Sequence, residues 1–344
     1  NSLTLNSGIG SFGLLNASLK TTIKRKRSRL SIAPYVQKSN NNYPVAALHK
    51  PSQVKELDNA SYQMAGVLYQ HQLDFKQTDP LTFRIWAQTA TREIPATQLE
   101  GISKKNQTDN TIRFQSDWSK TSKNSEVKLV LGSFYENLSY NDSISAIYTN
   151  YNFINNSLLA HIKHRYTKHI RLGVDIEARH FAADADTFYN QTRIEFSEGG
   201  HAKVNFERWQ GAVGLRFVQF TSSTDLPVLF SSHLSRHIKK KWLLSASFTT
   251  NYRLPTFNSL FWNPGGNPNL TAERSKNAEI STRYKTRRLR VQTTIYSNHI
   301  TDQIRWLPGD NGLFEAQQVV DQVQWNRGVE FSGELHFKRF MLDL

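Results

Sequence analysis

Apolar and polar residues alternate with a period of two along most of the chain, which predicts β-strands with one apolar and one polar face. From Trp242 to Arg253, the residues Trp242, Leu244, Ala246, Phe248, Thr250 and Tyr252 share one face, while Ser245, Ser247, Thr249, Asn251 and Arg253 share the other. Between Asn277 and Lys285, Ala278, Ile280, Thr282 and Tyr284 oppose Asn277, Glu279, Ser281, Arg283 and Lys285. Next, Leu289, Val291, Thr293 and Ile295 oppose Arg288, Arg290, Gln292 and Thr294, and later Trp325, Val329, Phe331, Leu335 and Phe337 oppose Asn326, Glu330, Ser332, Glu334 and His336. Ile170, Leu172, Val174, Ile176 and Ala178 against Arg171, Asp175, Glu177 and Arg179 make a fifth example.

The connections between these segments alternate short with long. Short ones are expected at Lys24 to Arg29, Asp74 to Pro80, Lys120 to Ser125, His237 to Lys241 and Thr286 to Arg287. Between them, Asn40 to Asp58, Arg92 to Asp109, Ala182 to Ala202, Pro255 to Ser275 and Trp306 to Gln322 are rich in Asn, Gly, Pro, Thr and Gln and read as long loops on one rim. A soluble β-sandwich would also alternate. Segments of about 9 to 12 residues, Trp or Tyr at their ends and the short-long rhythm favour an antiparallel transmembrane β-barrel. At roughly 20 residues per strand and connection, the chain holds about sixteen strands. It is expected to be one domain, or part of one.

Composition narrows the choice. Hydrophobic residues are 38% of the 344 and aromatics 12%, which suits apolar residues spread thinly over many strands. No cysteine is present, which excludes a disulfide framework, a Cys-ligated metal centre and a thiol nucleophile. The formal charge of +15 first suggests nucleic acid, but the excess clusters at Lys24 to Arg29, Lys239 to Lys241 and Lys285 to Arg290, where short turns are expected. Solvated turns are one reading of these clusters and anionic lipid headgroups the other; nucleic acid is not an expected partner.

The most specific stretch runs from Asn251 to Glu279. Arg253 is followed by Pro255-Thr256, the pair Leu260-Phe261, the loop Gly266-Asn267-Pro268-x-Leu270, and Glu273, Ser275 and Glu279. This order resembles the late-barrel signature of TonB-dependent outer-membrane receptors, particularly the cobalamin and siderophore branch. Ala272 stands where the family usually has Pro, and Ser281 where it often has Gly. Gly328-Val329-Glu330 is similar to the family's Gly-Val-Glu strand, and Leu3 to Val45 to its first barrel hairpin. The resemblance implies part of a 22-stranded barrel, with the plug domain and the last strands outside residues 1–344. It implies uptake of cobalamin or an iron–siderophore complex, TonB as a partner through the plug, outer-membrane lipid around the barrel, and a monomer. Arg253, Trp262, Asn263, Asn267 and Asn269 are the expected ligand contacts, and the remaining motif residues are expected to be structural. Heme and glycans stay open as ligands. A passive porin and a soluble basic β-sandwich that binds polysaccharide or nucleic acid are the rival readings.

Other motifs fail on context. Gly8-x-Gly10-x-x-Gly13 matches a dinucleotide fingerprint, but alternation through Leu15, Ala17, Leu19, Thr21 and Ile23 follows it instead of a helix, so it reads as a corner between strands. His161 and His164 have zinc-like spacing, yet residues three apart on a strand point to opposite faces. Asp184-x-Asp186 offers two carboxylates where calcium wants about 6 to 8 oxygens. No cofactor is expected beyond that weak calcium candidate, and no catalytic constellation stands out.

Overall fold

The computed structural model describes residues 1–47, 50–75, 79–97, 101–221, 226–309, 314–320, 322–336 and 341–343. Strands dominate. They are β1 (Ser2–Gly10), β2 (Leu14–Arg25), β3 (Ser28–Ser39), β4 (Pro44–Ala47), β5 (Lys50–Glu56), β6 (Tyr62–Leu73) and β7 (Leu81–Ile94). Next come β8 (Lys105–Thr121), β9 (Ser125–Asp142), β10 (Ile147–Arg165), β11 (Ile170–Ala185), β12 (Phe188–Asn205), β13 (Trp209–Phe220), β14 (Val228–Lys239) and β15 (Trp242–Arg253). A short helix, α1 (Phe257–Phe261), precedes β16 (Glu273–Lys285), β17 (Leu289–Thr301), β18 (Gln303–Pro308), β19 (Phe314–Val319), β20 (Gln324–His336) and β21 (Met341–Asp343). Among the described residues, seventeen of these strands belong to one sheet, close to the sixteen expected, while β4–β5 and β18–β19 are separate hairpins.

The chain divides into two compact units. The first comprises residues 1–121, 128–159 and 178–194. In it β1, β2, β3, β6, β7 and β8 pair antiparallel in succession, with Leu5 opposite Leu19, Val36 opposite Ala65 and Trp86 opposite Arg113. The second comprises residues 122–127, 160–177 and 195–344. Its ladder runs β12, β13, β14, β15, β16, β17, β20, β21, again antiparallel throughout.

These registers keep the two faces predicted from the sequence. In the second unit Leu234, Ala246, Ile280, Ile295 and Val329 follow one another across five strands, and Ser235, Ser245 and Ser281 across three on the other face. The apolar face is the exposed one: Val213, Leu234, Ile280, Ile295, Val329 and Phe331 lie open, and among the described residues no large side chain is fully buried. The first unit repeats this with Leu3, Leu5, Ile9, Val36, Ile112 and Leu131. A protein stabilised by a water-excluding interior would not expose so many aliphatic side chains in rows; a sheet solvated by lipid would.

Two expectations need correction. Ala182 to Ala202 is not a long loop, because β11 runs to Ala185 and β12 starts at Phe188, leaving a two-residue turn. Strands β9 to β12 are 16 to 19 residues long, well beyond the roughly 10 that cross a bilayer, and their outer parts mix Asn, Asp and Ser with Phe134, Tyr151, Phe153, Phe181 and Phe188, so the apolar-polar alternation is broken there while the strands continue. Arg92 to Asp109 is likewise shortened by β7 and β8, and Asn40 to Asp58 and Trp306 to Gln322 carry the small hairpins β4–β5 and β18–β19. The Gly8-x-Gly10-x-x-Gly13 stretch is a strand, a three-residue turn and a strand, with Phe12 and Gly13 at positive φ. Phe337 lies outside the described residues.

Candidate functional site

The signature stretch builds the most elaborate connection in the second unit, residues 254–272. Pro255 ends β15, since it has no N–H for the ladder, and Thr256 caps α1 by accepting the Ser259 N–H at 3.1 Å. Asn267 N–H donates to the Ser259 carbonyl at 2.8 Å and Gly266 N–H to the Trp262 carbonyl at 2.6 Å, folding the loop back over the helix. Between them the Asn263–Pro264 bond is cis and Gly265 has φ 110°, a region that penalises any side chain. The Gly265 carbonyl accepts the Ala316 N–H at 2.7 Å, tying the loop to β19. Phe257, Leu270, Ala272 and Ala316 are buried and Leu260 is half-buried, giving this small structure its own apolar centre.

The motif residues now separate by role. Arg253 is engaged by Glu273 directly across the ladder, Nη2 to Oε1 at 2.9 Å and Nε to Oε2 at 2.5 Å. Glu273 also accepts the Ile304 N–H at 2.7 Å. Asn267 turns its side chain onto its own loop, Oδ1 accepting the Asn269 N–H at 3.0 Å. Asn263, Pro268 and Asn269 are exposed and Trp262 half-exposed, so these form the outward tip. Ser275, Glu279 and Glu330 lie on the polar face of β16 and β20, and Gly328 sits opposite Tyr296, whose Oη would stand 2.5 Å from a Cβ at Gly328.

Below this loop is a row that the sequence reading missed. Asn277, Asn298 and Asn326 are register partners across β16, β17 and β20. The Oδ1 atoms of Asn277 and Asn298 are buried and have no hydrogen-bond partner in the structure. Asparagine alternating with other polar residues looks like ordinary solvent-facing strand, and only the register reveals the row. On the same polar face His161 binds Asp175, whose second oxygen is 3.3 Å from His201 Nδ1, while Arg216 is held by Glu177 and Ser197. His164 points elsewhere, with Nδ1 2.9 Å from Ser125 Oγ.

The first unit contributes an aromatic column, also absent from the sequence reading. Arg113 lies 4.4 Å from the Trp86 ring centre and 4.8 Å from that of Phe134. Phe134, Phe153, Tyr151 and Phe188 follow in ring contact, with Phe181 beside Phe153. Tyr35 accepts from Trp86 Nε1 at 2.8 Å and donates to Gln88 at 2.6 Å. A concavity of about 700 Å³ opens beside Trp86, Arg113 and Phe134. At the β11–β12 turn, Asp184 and Asp186 accept the N–H groups of Asn190 and Asn150. Among the described residues no group of three or more His, Asp or Glu is arranged to hold a metal.

Comparison with known proteins fits this architecture. The chain is 40% identical over 75 residues to the vitamin B12 transporter BtuB of Vibrio vulnificus (strain YJ016), a stretch covering 22% of this chain and 12% of that protein. In fold it is similar to the FrpB iron transporter of Neisseria meningitidis, F3-3 variant, with a TM-score of 0.81 at 12% identity, over 99% of this chain and 60% of that one. It is also similar to the Serratia marcescens hemophore receptor HasR, solved in complex with its hemophore HasA and heme, with a TM-score of 0.83 at 12% identity, over 99% of this chain and 61% of that one. This chain therefore spans about three fifths of the length of these solved relatives. The model of the TonB dependent receptor-like β-barrel matches residues 6–344, and the chain belongs to that family of outer-membrane β-barrel proteins.

Proposed function

We propose that this chain forms barrel wall and ligand-capturing loop of a receptor that imports a scarce, bulky nutrient, cobalamin or an iron–siderophore complex, by coupling to TonB. The observation that carries the reading is the 254–272 connection, a loop with its own buried centre that holds Trp262, Asn263 and Asn269 outward. Side chains held by a rigid support lose little entropy on binding, so a preorganised tip suits capture of a dilute ligand. Sequence identity with the vitamin B12 transporter favours cobalamin; the likeness in fold to an iron transporter and a hemophore receptor keeps iron complexes in view.

The chain's own residues supply three functions. Exposed aliphatic rows solvate the wall in lipid, and the paired strands satisfy backbone N–H and C=O groups there. The polar faces offer hydrogen-bonding groups to whatever passes. The loop tip recognises ligand. TonB acts through the plug that the family resemblance implies, outside these residues.

The test is uptake of labelled cobalamin and of labelled ferric siderophores by cells whose only receptor is the intact protein containing this barrel, with and without TonB. Saturable accumulation of one ligand that stops when TonB is removed is the expected result. Accumulation that persists without TonB and does not saturate would make the protein a passive channel.

A further inference from the structure

The short turns of the second unit form a cationic edge that ligand import leaves unused. Successive turns are stitched to the neighbouring strand in one pattern: Arg165 N–H to the Asn124 carbonyl at 2.7 Å, Asn205 to His169 at 2.8 Å, His237 to Arg208 at 2.9 Å, Lys285 to Lys241 at 2.9 Å and His336 to Arg288 at 2.8 Å. The turns therefore line up along one edge. Lys168, Arg208, Lys239, Lys240, Lys241, Arg287 and Arg288 are exposed on it. Among the described residues these cations have no carboxylate partner, whereas at the opposite strand ends Arg253 is paired with Glu273.

One cation lies on the apolar face itself. Arg236 is the register partner of Trp209, exposed on the same face of β14 as Leu234 and Ile238, and its guanidinium lies 4.7 Å from the Trp209 ring centre. Trp242 and Tyr284, also partners on this face, have ring centres 4.8 Å apart. Amphipathic rings at one end of an apolar band mark the level of lipid headgroups. An unpaired arginine there, its stem on aliphatic side chains, places its charge where phosphate oxygens lie.

We propose that this edge binds the phosphodiester of an anionic phospholipid, with Arg236 on Trp209 as the principal contact and Arg208 and Lys239 to Lys241 as the surrounding charge. A lipid fits better than free phosphate or nucleic acid because the cation is flanked by Leu234, Ile238 and Trp209, which neither of those would cover. The inference rests on the family's membrane location and not on which nutrient is imported.

The experiment is native mass spectrometry of the intact receptor from neutral detergent, titrated with phosphatidylglycerol and with phosphatidylcholine. Phosphatidylglycerol should be retained at least about tenfold more tightly, because each basic residue near an anionic headgroup adds attraction that a zwitterionic one lacks. Combining Arg236→Gln with Lys239→Gln, Lys240→Gln and Lys241→Gln should abolish the preference, and Arg236→Lys alone should keep most of it. Equal retention of the two lipids by the unsubstituted protein, or an undiminished preference in the fourfold variant, overturns the proposal. Displacement of phosphatidylglycerol by millimolar inorganic phosphate would overturn it in favour of a simple anion site. Should the fourfold variant fail to fold, brominated lipids decide the matter in the unsubstituted protein: phosphatidylglycerol must quench tryptophan emission more strongly than phosphatidylcholine, and equal quenching overturns the proposal. Loss of nutrient uptake changes none of these readouts, so the two readings fail separately.

Discussion

Arg253 and Glu273 clasp the two ends of the 254–272 loop, the guanidinium donating two hydrogen bonds to one carboxylate across the first rung of the β15–β16 ladder. Glu273 extends the clasp by accepting from Ile304, so the loop base and the start of β18 share one carboxylate. Both motif residues are thus explained by closure of the loop. Arg253 is largely exposed, so the pair is screened by water and its coupling energy should be at most about 1 kcal/mol. In a double-mutant cycle of Arg253→Gln and Glu273→Gln, we expect coupling of that size in the protease resistance of the loop. Additive effects would mean that the two residues act independently.

A glycine and a tyrosine meet across the ladder in each unit. Gly66 is opposite Tyr35 and Gly328 opposite Tyr296, and a Cβ at either glycine would stand 2.6 Å or 2.5 Å from the tyrosine Oη. Each ring lies over the glycine, filling space that a side chain would occupy. Gly66→Ala should cost about 1 to 3 kcal/mol, measured by denaturant unfolding, because Tyr35 would have to leave Trp86 and Gln88. Gly328→Ala should cost less, since among the described residues the Tyr296 hydroxyl makes no hydrogen bond. Equal costs would show that the Tyr35 hydrogen bonds add nothing.

The faces of the strands were legible because side-chain direction has a period of two, and a correct register carries that period from strand to strand. Trp242, Leu244, Ala246 and Phe248 fall where their alternation puts them. The outer halves of β9 to β12 were not legible, since Phe134, Tyr151, Phe153, Phe181 and Phe188 stand there among Asn, Asp and Ser and meet mostly across strands, which leaves no regular period along any one strand. Nor could the sequence divide the loop asparagines. Asn267 and Asn269 flank the same proline, yet one side chain closes the turn and the other is exposed. That difference arises from the fold of the loop over α1, where the Ser259 carbonyl accepts the Asn267 N–H, and this leaves no composition signal. The Gly-Val-Glu resemblance located Gly328 but not its reason, which is Tyr296 on another strand.

Acid should loosen the β9–β10 turn. Asp142 accepts the N–H groups of Ile144 at 3.1 Å and Ser145 at 3.2 Å. Burial opposes its charge, but the Ser145 hydroxyl, these two amides and the charge of Lys105 together hold the carboxyl below its ordinary value of 3.8. A carboxyl with a depressed folded value stabilises fully above its unfolded value and loses that contribution as pH falls through the folded one. The Ile144 and Ser145 amides should therefore keep constant hydrogen-exchange protection from neutral pH to about 4 and lose it below. Asp142→Asn should flatten this dependence; a persisting acid transition in that variant would assign it to another group.

The loop tip offers the sharpest separation of binding from architecture. Asn269 and Asn263 are exposed, and Trp262 is half-buried. Asn267 is committed to the Asn269 N–H and, through its own N–H, to the Ser259 carbonyl. Replacing Asn269 by Ala deletes a free amide while leaving every recorded loop hydrogen bond in place, because the Asn269 main-chain N–H remains. If the tip contacts ligand, Asn269→Ala and Trp262→Ala should each weaken cobalamin binding to the intact receptor by about 1 kcal/mol or more, with no change in loop protease resistance. Asn267→Ala should lower both together, since it unlatches the turn that presents the tip. Titration calorimetry and limited proteolysis on the three variants distinguish the cases: unchanged affinity in Asn269→Ala and Trp262→Ala would move recognition away from the tip to the polar faces, where the Asn277, Asn298 and Asn326 row is the next surface to substitute.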